Sequence, residues 1–583
     1  MSALAQKDDL PIHVSQESEQ LPVQTSDGML KVKTREINGC ENQDTFRHSW
    51  DVMAVFFALL LLSLMSSIDA TIVTTALPTI AREFGNGQDY IWVINGFLFG
   101  STATQPLFAQ VSNIFGRRNP MILALFLFAL GSGVAGGAHN SETLITARTI
   151  QGLGTSGLYV LADIILCDII PPRHRGPYLN GVLSMAAVGS TVAPVIGGIL
   201  AQKNWRWVFW INLPVSAVGL VIILLCLKVN YPPNPNWKHA LAEVDFIGNA
   251  IFIPSITAVL LGLVMGGSQF SWGSWHIIVP LVFGFLGWVA FLIFESSTRL
   301  CKQPTMPPRL FKHRTSAVSF VLIFLGSIII TAANYFLPVY FQAVKKVSPL
   351  DSGVYYLPFA LAIIPIGGLG AGFISKTGLY IPLHRIGFAL CAIGAGLLST
   401  LAASSNSGSW IGFQIITSSG VGLIFTSTLI STLAPLKEED VAIATGAYSF
   451  VRSFGFVWGS TIASIAFNSQ INRYLGIVED EAVRGLMANG QAYAYSNKGT
   501  INALPATTQS QVIEVYVKAL RVIWLIIAAI SCFGFFCTLA EKHVELRKEK
   551  RNEFGLAEKK PKTVDQGTDH LIQVGKSNEL LVV

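Results

Sequence analysis

Charged residues are scarce in this chain. Only 13% of its 583 residues are Asp, Glu, Lys or Arg, whereas a soluble domain averages about 25%. The charges that are present lie in the terminal regions and in short connectors between apolar runs. This distribution excludes a soluble enzyme of this length.

Several binding and catalytic signatures are missing as well. The chain has no Gly-x-x-x-x-Gly-Lys phosphate loop, no nucleophile elbow and no His/Cys cluster with metal-ligand spacing. We therefore expect no cofactor, no metal site and no enzymatic activity. The net charge of +6 does not indicate a nucleic-acid partner, because Lys and Arg cluster at the ends of apolar segments on one side.

Cysteine is rare, with seven residues in the chain. None of them falls in a loop that we predict to lie on the extracytosolic side of the membrane, so a disulfide framework is not expected. The polar residues 1–48 contain no apolar run that could act as a cleavable signal. We predict that they form a disordered cytosolic tail.

Long apolar runs, by contrast, dominate the chain, which has a mean hydropathy of +0.52. A helix needs about 20 apolar residues to cross the hydrocarbon core of a bilayer. Fourteen such runs predict spans at about residues 52–76, 91–111, 120–138, 144–170, 178–200, 209–229, 246–266, 275–295, 315–341, 352–374, 382–403, 410–433, 441–468 and 519–539. Lipid cannot satisfy exposed backbone groups, so the predicted fold class is an all-α polytopic membrane protein with fourteen transmembrane helices.

Basic residues predict the orientation of these spans. Arg117 and Arg118 follow span 2, and further Lys and Arg residues follow spans 4, 6, 8 and 14 on the same side. The short loops after spans 3, 7 and 11 hold neither residue type. By the positive-inside rule both termini are cytosolic, although Lys345 and Lys346 lie on the opposite side.

A weak internal repeat suggests the domain organisation. Short glycine-bearing turns follow span 2, at residues 112–116, and span 10, at residues 375–378, and two six-helix halves plus two inserted helices is a known transporter plan. The predicted parts are a disordered N-tail (1–48), a six-helix bundle (49–230), two inserted helices with flanking cytosolic loops (231–314), a second six-helix bundle (315–540) that contains an outer loop (469–518), and a cytosolic C-tail (541–583).

Spans 1 and 4 carry charged residues in their interior. Asp69 lies in span 1, and a carboxylate at membrane depth costs roughly 2.5–3.5 kcal/mol on insertion scales, so it is expected to face a polar path or partner. In span 4, Arg148, Gln151 and Asp163 fall within about a 120° arc together with Thr155 and Tyr159. They form a polar stripe with a cation at one end and an acid at the other. For Arg148 the alternative is a side chain that snorkels to the outer interface.

The turn after span 2 has an unusual composition. Gly116 can end the helix in a tight turn, and Arg117 and Arg118 can then pair with an acid or with a helix end. We predict a gating turn made of Asn113, Gly116 and the two arginines. The alternative is a simple basic anchor at the cytosolic face.

Other polar or small residues are weaker candidates. In span 5, small residues that permit close helix packing flank a proline, a pattern that ordinary helix packing also explains; they are Gly189, Pro194, Gly197 and Gly198. Four further residues within spans are candidates for lining a substrate cavity: Asn334, Tyr335, Gln414 and Arg452. Lone polar residues of this kind more often form helix–helix hydrogen bonds.

Taken together, these motifs resemble the major facilitator superfamily, and most closely its fourteen-span drug:proton antiporter family in fungi. The likeness covers about residues 48–540 and includes residues 68–78 of span 1, Arg148-x-x-Gln151-Gly152 of span 4 and residues 189–198 of span 5. The turn after span 2 departs from the family at two positions, with Asn113 in place of Asp and Ala109 in place of Gly. In span 5, Ala193 replaces the usual Gly.

The resemblance implies export of a drug, toxin or secondary metabolite in exchange for protons, by alternating access between spans 1–6 and 9–14. It implies that Asp69, Asp163, Arg148 and Gln151 couple transport to protons, and that residues 189–198 form an antiporter motif. The expected setting is the plasma membrane, with the lipid bilayer, protons and a small molecule as partners and a monomeric protein. A vacuolar transporter of basic amino acids, a siderophore transporter and a transport-dead sensor are the alternatives.

Overall fold

A computed structural model of the chain describes residues 50–84, 90–227, 241, 243–267, 269–297, 301, 303–488, 491–496 and 501–546. Throughout these residues the regular secondary structure is helical, with one isolated bridge between Gly266 and Phe270. The predicted N-tail (1–48) and all but the first six residues of the predicted C-tail (541–583) lie outside the described residues.

The helices follow one another with short connections. The first eight are α1 (Trp50–Phe84), α2 (Tyr90–Ala103), α3 (Gln105–Phe115), α4 (Arg118–Gly136), α5 (Ser141–Ile169), α6 (Arg175–Asn204), α7 (Trp207–Trp210) and α8 (Asn212–Cys226). The next two are α9 (Phe246–Met265) and α10 (Trp275–Ser296). The last eight are α11 (Arg314–Val339), α12 (Pro349–Thr377), α13 (Ile381–Leu398), α14 (Ser407–Leu433), α15 (Val441–Tyr474), α16 (Glu481–Met487), α17 (Ala492–Tyr495) and α18 (Ala506–Thr538).

Within the described part of the chain, twelve helices are long and apolar enough to cross a membrane. Predicted spans 2 and 5 are not among them. Span 2 corresponds to α2 and α3, which are interrupted at Thr104, just before Pro106 removes a backbone donor. Span 5 corresponds to α6, which has 30 residues. The count of fourteen transmembrane helices therefore stays a prediction.

Two bundles account for most of the packing. In the first bundle (α1–α8), α1 packs along α6 and α8, and α5 packs against α2 and α4. In the second bundle (α11–α18), α11 packs against α14, α15 and α18, and α13 packs against α14. Small residues allow these close contacts: a Cβ atom added to Gly154 of α5 would lie 2.4 Å from the backbone nitrogen of Phe128 in α4.

The inserted pair (α9 and α10) joins both bundles. Aromatic rings connect it to α15, with ring centroids 5.1 Å apart for Phe252 and Phe450 and 5.5 Å apart for Trp288 and Phe454. Helix α9 also contacts α2 of the first bundle. The pair thus packs beside the region where the two bundles meet.

A buried polar network fixes the base of the inserted pair. The side-chain amide of Asn249 donates to Oε1 of Gln110 at 3.2 Å and to Oγ1 of Thr305 at 2.9 Å, and the Thr305 hydroxyl donates to the same Gln110 oxygen at 3.1 Å. The pKa of the Cys301 thiol is raised to about 12, chiefly because the thiol is buried and secondly because the Asp245 carboxylate is nearby. Because Gln110 belongs to α3, this network links the inserted pair to the helix that precedes the predicted gating turn.

The predicted outer loop (469–518) is largely helical. Helix α15 continues to Tyr474, α18 begins at Ala506, and α16 and α17 lie between them. The hydroxyl of Tyr516 in α18 donates to the carbonyl oxygen of Ala492 at 2.6 Å, which fastens α17 to the second bundle.

Lys345, one of two basic residues that run against the predicted orientation, has a local structural role. Its ammonium group donates to the carbonyl oxygens of Ala403 at 2.7 Å and Ser405 at 2.5 Å. Burial lowers the pKa of Lys345. This lysine therefore ties the end of α11 to the loop after α13.

The segment after α18 is anchored to the second bundle. Nδ1 of His384 in α13 lies 2.9 and 3.0 Å from the two carboxylate oxygens of Glu541, and both side chains are fully buried. The Thr315 hydroxyl, in the first turn of α11, donates to the carbonyl oxygen of Lys542 at 2.7 Å. Residues 541–546 thus close over the end of the second bundle that holds the first turn of α11.

Candidate functional site

Asp69 lies in the middle of α1 with no exposed surface. Its Oδ2 accepts a hydrogen bond from Nη1 of Arg148 at 2.7 Å. Its Oδ1 accepts from the side-chain amides of Gln151 and Asn212, each at 2.7 Å. The carboxylate is thus held by one cation and two amide donors, which offsets the cost of burying its charge.

Arg148 is buried as completely as its partner, with 1% of its surface exposed. Its guanidinium group also donates to Oε1 of Gln151 at 2.6 Å and lies 4.1 Å from the ring centroid of Phe97, close enough for a cation–π contact. The alternative that Arg148 snorkels to the outer interface is therefore wrong. All partners of this buried cluster belong to the first bundle.

Two members of the cluster were not predicted from the sequence. Asn212, at the start of α8, donates to Asp69, and the hydroxyl of Ser132 in α4 accepts from the amide of Gln151 at 2.7 Å. A single Asn after a tryptophan-rich segment and a single Ser in an apolar helix carry no distinguishing sequence signal. Their role becomes visible only when α4, α5 and α8 are packed together.

Asp163 occupies the other end of the polar stripe and reaches the second bundle. Its Oδ2 lies 3.3 Å from Nη2 of Arg452 and 3.4 Å from the hydroxyl of Ser449, and both partners belong to α15. Arg148, which shares its helix face, pairs with Asp69 instead. The stripe therefore holds two separate ion pairs, one within the first bundle and one between the bundles.

The middle of the stripe is polar as well. The Thr155 hydroxyl donates to the carbonyl oxygen of Gln151 at 2.9 Å, and the Tyr159 side chain is hydrogen bonded to Ser67 of α1. Polar groups thus follow one another from the buried cluster towards Asp163.

The turn between α3 and α4 has the geometry that its sequence suggested. Gly116 has φ = 78°, a conformation that favours glycine. Nε of Arg117 lies 2.6 Å from Oδ2 of Asp168 at the end of α5, and Arg118 donates to the carbonyl oxygen of Leu224 near the end of α8 at 2.8 Å. One arginine thus pairs with an acid and the other with a helix end. Asn113 lies half-buried in the last turn of α3.

The glycine-rich segment of α6 packs against α1. A Cβ atom added to Gly189 would lie 2.7 Å from the backbone oxygen of Leu64, so the two helices are in close contact there. Gly197 is buried. The side-chain placement of Pro194 and the environment of Gly198 lie outside the described residues, although α6 runs through both positions.

Of the four cavity candidates, Arg452 pairs with Asp163, and the other three lie in different surroundings. Gln414 is fully buried and donates to the carbonyl oxygens of Tyr355 and Trp410, each at 3.1 Å, so it forms a helix–helix contact. Asn334 accepts a hydrogen bond from the Tyr356 hydroxyl. The side chain of Tyr335 is half exposed. The described residues contain no cluster of His, Cys, Asp or Glu that could hold a metal ion.

The arrangement of two bundles with an ion pair between them can be compared with known proteins. The family model of the Major Facilitator Superfamily matches residues 59–460. The chain belongs to the major facilitator superfamily. The predicted superfamily and the all-α transporter fold are thereby confirmed.

Relatives and a solved structure agree with this assignment. The transporter is 44% identical over 517 residues to the MFS efflux transporter aclA of Aspergillus oryzae, covering 88% of this chain and 94% of that one. It is 38% identical over 509 residues to the acurin A biosynthesis cluster MFS-type transporter of Aspergillus aculeatus, with 86% and 91% covered. The structure of the human organic anion transporter MFSD10 superposes with a TM-score of 0.55 at 14% identity, covering 84% of this chain and 100% of that one; this likeness supports the fold alone.

The transporter is therefore a multi-pass membrane protein that exports a small organic molecule, as the names and coverage of its fungal relatives show. It lies in a lipid bilayer, in keeping with the twelve apolar helices of membrane-spanning length in the described part of the chain.

Proposed function

We propose that export is driven by protons that move in the opposite direction, and that Asp163 carries the proton. The observation that supports this proposal is the ion pair between Asp163 and Arg452. The two side chains belong to different bundles and are only 8% and 20% exposed, respectively. A carboxyl group in such a position can exchange its cationic partner for a proton when the bundles separate.

The physical basis is a linkage between protonation and bundle separation. A proton on Asp163 removes the charge that attracts Arg452, so the protonated acid favours an arrangement in which the two bundles are apart at this point. Conversely, re-forming the pair favours release of the proton. Each proton that enters across 100 mV supplies about 2.3 kcal/mol.

Asp69 would have a different role. Its carboxylate is enclosed by Arg148, Gln151 and Asn212 within one bundle, and a proton would have to displace these donors in every cycle. We assign this cluster to holding α1, α5 and α8 in position, so that Asp163 is presented to the second bundle.

The substrate would bind near the membrane midplane between the bundles. The half-exposed ring of Tyr335, near the end of α11, is a candidate contact. A fungal secondary metabolite is the favoured substrate class, because a relative is named for the acurin A biosynthesis cluster. We further propose residence in the plasma membrane, cytosolic termini and a monomeric transporter.

The test is gradient-driven flux through the purified transporter in vesicles. Candidate substrates are the products of enzymes encoded beside its gene. We expect uptake into vesicles with an acidic lumen, and loss of this uptake when a protonophore collapses the gradient. Uptake that is unchanged after the gradient is collapsed would refute proton coupling while leaving export itself intact.

A further inference from the structure

The two bundles are in close contact where α3 meets α15. A Cβ atom added to Gly446 of α15 would lie only 2.1 Å from the Cβ atom of Ala109 in α3. The same added atom would lie 3.6 Å from the Cα atom of Ala109, which is an ordinary van der Waals distance. The contact therefore has space for one methyl group, and the side chain of Ala109 fills it.

A second contact joins the bundles in a similar way. The side-chain amide of Asn180 in α6 donates to the carbonyl oxygen of Ile364 in α12 at 3.3 Å. A Cβ atom added to Gly367 of α12 would lie 2.3 Å from Oδ1 of Asn180 and 2.9 Å from Oγ1 of Thr426. Here too, a glycine of the second bundle allows a residue of the first bundle to approach its backbone.

Both contacts lie towards the basic side, the end of the bundles that carries Arg117 and Arg175. Gly446 is in the second turn of α15, and Ala109 lies six residues before the end of α3 at Phe115. A hydrogen bond of 2.9 Å between Gln105 and Ser453 adds to the first contact. The bundles are therefore closed against each other on the basic side in this structure.

We propose that Gly446 is a positioning residue for closure of the basic side, and that it makes room for the alanine at position 109. The helices can meet at this distance with Ala109 opposite Gly446, or with the two residues exchanged, but not with alanine at both positions. An alanine pair would keep α3 and α15 apart, and the transporter would stay open on this side. The inference rests on alternating access and is independent of proton coupling.

The test uses three variants at this contact: Gly446→Ala, Ala109→Gly and the combined exchange. Spin labels on the exposed residues Asn119 and Lys437, introduced as cysteines after the reactive native cysteines are replaced, report the separation of the bundles on the basic side. The measurement is made on the purified protein without a gradient, so failed proton coupling cannot affect it.

We expect Gly446→Ala to lose the short-distance population, whereas Ala109→Gly retains it. The combined exchange should restore it, because the new methyl group then faces a glycine. Gly396→Ala in α13 is the matched control, since nothing lies within 4 Å of an added Cβ there. Alanine is a better helix former than glycine, so a loss in Gly446→Ala cannot come from a weakened helix.

Normal closure of Gly446→Ala would overturn the proposal. If that single variant fails to accumulate, the combined exchange decides the question. A combined exchange that also fails to accumulate, or that stays open, would equally overturn it.

Discussion

Asp163 and Arg452, which are 289 positions apart in the chain, are joined by an ion pair of 3.3 Å between the two bundles. Its two members belong to helices that must separate and rejoin if access alternates between the two sides of the membrane. Under alternating access, the pair would therefore connect a titratable group directly to the movement of the bundles.

Asp163→Asn should abolish substrate flux driven by a pH gradient. The amide cannot exchange a proton, and it is easier to insert into the membrane than an acid, so folding should be retained. Flux in vesicles is the measurement, and Asp351→Asn at an exposed position of α12 is the matched control. If Asp163→Asn retains gradient-driven flux, the coupling site lies elsewhere.

Asp69→Asn should act mainly on stability. It leaves the Arg148 guanidinium group buried without its anion, and breaking a buried pair costs about 3–5 kcal/mol. The expected result is a lower midpoint of thermal unfolding in detergent. Arg148→Lys should retain only part of the function of the arginine, because a lysine lacks the planar fork of donors. Unfolding of Asp69→Asn at the wild-type temperature would contradict the view that this cluster is a structural support.

Arg117→Ala should reduce flux while the protein stays at normal abundance in the membrane. The substitution removes the partner of Asp168 and opens the turn between α3 and α4. Gly116→Leu should have a similar effect, since a leucine at φ = 78° is strained. Normal flux at normal abundance in both variants would show that this turn determines topology and has no role in gating.

Topology can be checked with glycosylation tags. A tag inserted near residue 489 should be modified and a tag after residue 550 should not, because positive charges predict that the C-terminus is cytosolic. Both insertion points lie outside the described residues. The reverse pattern of modification would invalidate the proposed orientation.

Truncation should reveal the anchored segment after α18. A chain that ends at Leu539 lacks Glu541 and leaves His384 buried without its acceptor, at a cost of about 1–3 kcal/mol. A chain that ends at Leu546 keeps the pair and serves as the control. We expect a lower unfolding temperature for the shorter chain only. Equal unfolding temperatures would show that the pair contributes nothing.

Sequence reasoning identified the charged residues but not their partners. Asp69, Arg148 and Arg117 stand out because a charge in or beside an apolar helix must be compensated. Their partners depend on which helix faces run together, and that depends on the packing of helices distant in sequence. For this reason Asn212 was missed, and Asp163 and Arg452 were recognised separately but not as a pair.

The break between α2 and α3 illustrates the same limit. One continuous apolar run predicted one helix across residues 91–111, although Pro106 lies within this run. The helix halves separate at Thr104, whose hydroxyl donates to the carbonyl oxygen of Gly100 at 2.7 Å. Hydropathy alone does not register such a break, because it measures composition and not backbone hydrogen bonding.

The hydrogen bond between Thr315 and Lys542 also has a consequence for biosynthesis. It connects the first turn of the second bundle to residues that follow the last helix of that bundle. Since domains generally fold in the order of their synthesis, the first bundle can be completed before residues 541–546 are made, whereas the second bundle cannot. Until those residues are made, His384 lacks Glu541 and the Thr315 hydroxyl lacks the Lys542 carbonyl oxygen.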